Sequence, residues 1–126
     1  MRTEVSLWWI QSEEDFDSAQ ANFTIKKYYL TVFLCQQAVE KGLKALYIQT
    51  KKKSSMTHSL VLLATECAIP SHYLSFLRKL TPQFVNTRYP DAAYGVPSEL
   101  YDVKIAEEYL KQTEEVMKWL RSRIKL

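Results

Sequence analysis

"YYLTVFLCQQAVEKGLKALYIQ", residues 28–49, is apolar nearly all the way round when projected as a helix. Such a helix must be packed on several sides, so this stretch reads as the central element of an all-α protein. Leu30, Phe33, Leu34, Ala38, Val39, Leu43, Ala45, Leu46 and Ile48 supply the core it demands. One seam breaks the pattern, because Gln37, Glu40, Lys41 and Lys44 fall within about a quarter of the helical circumference. Polar groups on a buried helix must be paired or must line a cleft. One reading is a Glu40 to Lys44 ion pair with Lys41 reaching solvent. The other is a cleft in which lysine ammonium groups and the Gln37 amide meet a phosphate or a base.

Outward from this segment the chain divides into helices. Residues 4 to 23 place Val5, Trp9, Ser12, Phe16, Ala19 and Phe23 on one stripe, with Glu13, Glu14 and Asp17 turned to water. Thr57 can cap a short third helix running through Cys67, with Leu60, Leu63, Ala64 and Cys67 inward. A fourth helix starts at Ser71 and buries Leu74, Leu77 and Leu80; Pro82 interrupts it, and helix resumes through Phe84 and Val85. The last begins after the N-cap Asp102 and runs to the end of the chain. Val103, Ala106, Leu110, Thr113, Met117, Leu120 and Ile124 keep three-four spacing in it, and Glu107 to Lys111 and Glu114 to Lys118 are set for i, i+4 pairs. The pattern predicts an up-and-down bundle of about five helices, forming one domain over residues 1–126.

Composition agrees. A chain of 126 residues, 47% hydrophobic and 25% charged, has globular proportions. No apolar run approaches the roughly 20 residues that span a bilayer. The opening "MRTEVSLWWIQSEEDFD" turns acidic before a long apolar stretch develops, unlike a secretory signal, so a cytoplasmic location is expected. Cys35 and Cys67 lie in apolar surroundings without metal-ligand spacing and read as buried reduced thiols; no metal or cofactor is called for. The net charge of +3 conceals a gradient: residues 1–25 hold one basic and five acidic side chains, residues 26–53 seven basic and one acidic. The run Lys51, Lys52, Lys53 suits the C-terminal dipole of the central helix, or a phosphate-binding surface.

Two further features escape the bundle pattern. "THSL" puts His58 in the first turn of the third helix, where N–H groups favour anions, and His72 holds the equivalent place in the fourth. Between Val85 and Asp102 periodicity lapses for about sixteen residues, longer than an idle loop. Within it, "NTRYPDAAYG" at 86–95 has a defined shape, because Pro90 forces Tyr89 out of helical geometry and Gly95 permits a turn. Arg88 can pair with Asp91 there, or offer its guanidinium fork to phosphate.

"FLCQQAVEKGLKAL", then "THSL", then "TRYPD", then a long terminal helix, resembles the HEPN domain family, the higher eukaryotes and prokaryotes nucleotide-binding domain. The resemblance covers nearly the whole chain. It implies a helical bundle that forms a homodimer and often works beside a minimal nucleotidyltransferase, in many cases as a toxin-antitoxin pair. On it, Gln37, Lys41, Lys44, His58, Arg88 and Asp91 are the expected nucleotide or phosphate site. Many members of the wider family are metal-independent ribonucleases with an arginine followed four to six residues later by histidine. Here "YPDAAYG" follows Arg88, with Tyr94 where that histidine would stand. A tyrosine phenol exchanges protons poorly near neutral pH, so nucleotide or partner binding is expected ahead of RNA cleavage. A cleaving enzyme would have to recruit His58 or His72 across a dimer. A purely structural interaction subunit is the third expectation. In some toxin branches a tyrosine near this motif is modified by the partner nucleotidyltransferase, which makes Tyr94 a possible acceptor by resemblance.

Overall fold

In a computed structural model, which describes residues 3–126, every regular element is helical. α1 (Glu4–Thr24) opens at Thr3, whose hydroxyl accepts the Ser6 N–H. Three residues, with Lys26 in the left-handed region, then turn the chain into α2 (Tyr28–Lys51). The two helices lie antiparallel: the rings of Phe23 and Tyr28 meet near the turn, and further along Ser12 Oγ donates to the Ala38 carbonyl at 2.6 Å. They pack closely because Gly42 has no side chain; a Cβ there would sit 2.8 Å from Leu120 and 3.2 Å from Trp9.

α3 (Leu60–Glu66), a single 3-10 turn (Ser71–Tyr73) and α4 (Leu74–Leu80) cover one flank of α2. Three single-turn helices follow: α5 (Gln83–Asn86), α6 (Pro90–Ala93) and α7 (Pro97–Leu100). α8 (Val103–Arg123) closes the bundle and runs in the direction of α2, since Cys35 lies against Thr113 near one end and Gln49 bonds the Arg123 carbonyl at the other. One core runs through all of this, with Trp9, Phe16, Val39, Leu43, Leu63, Leu77, Met117 and Leu120 buried in it. Cys35 and Cys67 are free buried thiols, as expected.

Several local expectations are corrected. α3 starts later than Thr57: Ser59 is its cap, accepting the Leu62 N–H, so His58 stands outside the helix. The Leu60 N–H is taken by Thr81 Oγ1, so this end is already occupied from within the fold. His72 lies in the 3-10 turn, not in α4. The aperiodic segment consists of proline-started helical turns too short to show a period. Its left-handed residue is Tyr94, at φ 57°, rather than Gly95. Leu30, Phe33 and Leu34 are only half-buried and Val103 is exposed. Glu13 faces water as expected and bonds the exposed Arg121 there at 2.7 Å, whereas α8 ends at Arg123, short of the end of the chain. Among the described residues, Glu107 and Glu114 pair with no lysine; Lys118 meets Glu115 instead.

Candidate functional site

The polar seam of α2 is internally neutralised. Glu40, 5% exposed, receives the Gln36 amide at 2.9 Å and the Lys44 ammonium at 3.2 Å. Lys44 also lies 5.4 Å from the Trp8 ring centroid. Lys41, expected to reach solvent, is only partly exposed and pairs with Asp15, a carboxylate on the buried side of α1. Asp15 in turn accepts from Gln11, while Gln37 donates to Gln36 and accepts weakly from Lys41 at 3.4 Å. The two lysines therefore do not repel one another in an empty cleft. Each already faces a carboxylate, because burial of a lone ammonium is costly and the fold supplies the partner.

From this seam the network surfaces at His58. Its Nδ1 lies 3.0 and 3.1 Å from the two Glu40 oxygens, in reach of both. A carboxylate only accepts, so Nδ1 carries the proton, and in the neutral ring Nε2 is the free acceptor. The imidazole is half exposed and stacks on Phe84, ring centroids 4.2 Å apart at 18°.

The same ring carries Arg88. The guanidinium carbon lies 4.3 Å from the Phe84 centroid, 5.0 Å from Tyr89 and 5.3 Å from Phe33. Its Nε donates to the Phe84 carbonyl at 2.7 Å, one turn back along the chain. That bond fixes the fork and leaves both terminal amino groups without a protein acceptor among the described residues. The expected Arg88 to Asp91 ion pair is absent among those residues; Asp91 is exposed in the first turn of α6. A groove of about 360 Å³ opens beside Arg88, lined by Tyr29, Leu30, Phe33, Val96 and Ser98 among others.

Of the residues expected at the site, Glu40's neighbours Gln37, Lys41, Lys44 and His58 join one network, and Phe84 bridges it to Arg88. Asp91 and Tyr94 stand apart, Tyr94 with 95% of its surface exposed. Sequence reading missed Asp15 and the Phe84 platform. Asp15 precedes Phe16 on the apolar stripe of α1, and its buried place was masked by four other acids in the same stretch.

The fold is thus an all-helical bundle with a charged network buried along its central helix, which surfaces at His58 and is bridged by Phe84 to Arg88. The chain belongs to the HEPN domain family, which it matches over residues 5–123. It is similar to the crystal structure of TT1696 from Thermus thermophilus, at 23% identity and a TM-score of 0.88, over 98% of this chain and 100% of that one. It is likewise similar to ST0689, an archaeal HEPN homologue, at 31% identity and a TM-score of 0.82, again over 98% of this chain and 100% of that one. No curated protein matches. Among the described residues no helix is long and apolar enough to cross a membrane.

Proposed function

We propose that this HEPN domain protein binds the phosphate of a nucleotide at the platform where Arg88 and His58 meet on Phe84. The observation that carries the reading is the free guanidinium fork, anchored through Nε and packed on Phe84, the ring that also carries the histidine held by Glu40. Guanidinium amino groups bind phosphate oxygens in pairs, and stacking on aromatic faces keeps the fork flat and in place. Gln37, Lys41 and Lys44 then act behind the site, holding Glu40 and the seam in position instead of touching ligand. The groove at Phe33 and Tyr29 gives the nucleoside a surface to lie on. We further propose that the protein forms a homodimer and works beside a minimal nucleotidyltransferase in a toxin-antitoxin module, for which the fully exposed phenol of Tyr94 is an accessible acceptor.

Binding at 100 times the dissociation constant adds roughly 2.7 kcal/mol, several degrees of melting temperature in a domain of this size. A thermal-shift screen of nucleotides at low salt should find such a ligand. The shift should vanish in Arg88→Ala and shrink in His58→Ala, and a shift indifferent to both would move the site elsewhere. Absence of any shift, with co-purification of a nucleotidyltransferase, would leave the partner function alone.

One geometric fact favours a second reading. Glu40 orients His58 so that Nε2 is the free acceptor, and Arg88 packs on the same Phe84 ring; such a histidine could take the 2′-hydroxyl proton of RNA and such a guanidinium stabilise the phosphorane-like charge. The histidine missing after Arg88 would thus come from residue 58 of the same chain. Metal-free cleavage of a mixed-sequence RNA, lost in both His58→Ala and Arg88→Ala, would establish it.

A further inference from the structure

At the opposite extremity from the turn that joins α1 and α2, α2 and α8 end side by side. Gln49 ties them, its amide donating to the Arg123 carbonyl at 2.9 Å and its oxygen accepting the Lys125 N–H at 2.8 Å. Both helix ends carry cations. Lys51 is paired with Glu66 at 3.5 Å and Arg121 with Glu13 at 2.7 Å. Lys52, Arg123 and Lys125 are exposed and face no carboxylate within ion-pair distance among the described residues.

These three cations border two grooves that share Gln49 and Lys125. One, of about 430 Å³, is lined by Trp119, Ser122, Arg123 and Lys125 together with Thr50 and the Cys67 turn. The other, of about 410 Å³, is lined by Thr3, Val5, Ile48 and Lys52, with Glu4 the acid beside them. Trp119 is partly exposed, and Arg123 lies 5.3 Å from its ring centroid. Lys52 holds the left-handed cap of α2 at φ 61°, a place glycine fills with least strain. Helix-dipole compensation accounts for one or two cations at each end. It covers Lys52 at one end and Arg123 and Lys125 at the other, but not the partly exposed Trp119 ring that Arg123 packs on, nor the two grooves joined through Gln49 and Lys125 that these side chains border.

We infer that this end of the bundle is a second binding site, for the sugar-phosphate backbone of single-stranded nucleic acid. A track of cations that follows phosphates, with an aromatic face on which a base can stack, is how sequence-tolerant single-strand sites are built. Cations alone would suit an anionic membrane equally well; the Trp119 and Arg123 pair beside polar Gln49, Thr50 and Ser122 favours bases and sugars. The site involves none of the residues assigned to the nucleotide phosphate.

Fluorescence anisotropy with a labelled oligothymidylate of roughly 12 nucleotides, within the span such sites cover, tests this with a probe that has no 2′-hydroxyl to cleave. The triple variant Lys52→Gln, Arg123→Gln, Lys125→Gln should bind at least tenfold more weakly. Its log-log salt slope should be smaller by about 2, at about 0.7 per lost phosphate contact. Its melting temperature should stay near that of the parent, since all three side chains are exposed. Lys104→Gln, at an exposed cation near the opposite end of α8, should leave oligonucleotide affinity unchanged. The inference is overturned if the parent does not bind at low salt, if the triple variant binds as the parent does, if Lys104→Gln weakens binding as much as the triple variant, or if phosphatidylserine vesicles are bound and the oligonucleotide is not.

Discussion

Asp15 shows how much one buried carboxylate decides. It sits among the apolar contacts of α1 with little exposure, and without Lys41 it would be a charge in a poorly solvated place. Removing one member of such a pair strands the other. Asp15→Ala should therefore destabilise the fold by about 1–3 kcal/mol, somewhat below the range for fully enclosed pairs because Lys41 keeps some contact with water. Lys41→Ala should cost a similar amount, and the double variant should cost less than the sum by about 1 kcal/mol. Urea denaturation of the four proteins closes the cycle, and strict additivity would show that the two groups do not share one interaction. The same logic explains Glu40. Three neighbours converge on its carboxylate, so the residue fixes the seam on one side and His58 on the other.

At the scale of elements, α1, α2 and α8 meet at Gly42. Its backbone is ordinary helix, and the reason for glycine is space: an added Cβ would come within 3.0 Å of Ser12 Oγ as well as close to Leu120 and Trp9. Glycine is a poor helix former, so on propensity alone Gly42→Ala would stabilise α2 by up to about 1 kcal/mol. Overpacking of a tight three-helix contact costs typically about 1–3 kcal/mol and should win. The expected result is a net loss of stability in denaturant titration, and a gain would mean that Leu120 and Trp9 move aside freely. Short elements obey a different rule. α6 and α7 each begin with a proline and end within a turn, held by their packing and not by a hydrophobic period of their own.

For the molecule as a whole, the core sets an alkaline limit. Burial pushes the Cys35 thiol from 9.0 up to about 12, the Cys67 thiol up to about 11 and the Tyr109 phenol from 10.0 up to about 12. Each group ionises more readily in the unfolded chain than in the folded one. Their stabilising effect is thus complete below about pH 9 and is lost as pH rises through the folded values. Thermal melts should show stability falling steadily between about pH 9 and 12, and a flat profile there would mean that these groups reach water without unfolding. Alkylation of the fully enclosed Cys35 near pH 8 should accordingly proceed only through unfolding.

The sequence by itself determined the helices that have room to repeat. α2 announced itself by being apolar all round, and α1 and α8 by their stripes, because a helix of about six or seven turns samples its pattern many times over. Burial of Trp9, Phe16, Leu43 and Leu120 followed directly. Tertiary structure alone decided where the charges go. Whether Lys41 meets water or Asp15 depends on the antiparallel register of α1 on α2, and periodicity carries no information about register between helices. The start of α3 turned on competition among Thr57, Ser59 and their backbone partners, which local rules leave nearly degenerate. His58 and Arg88 are far apart along the chain, and they are linked only because the turns after α4 lay Phe84 between them. Local pattern fixes each element from its own residues, whereas a site assembled from several elements exists only once packing has brought them together.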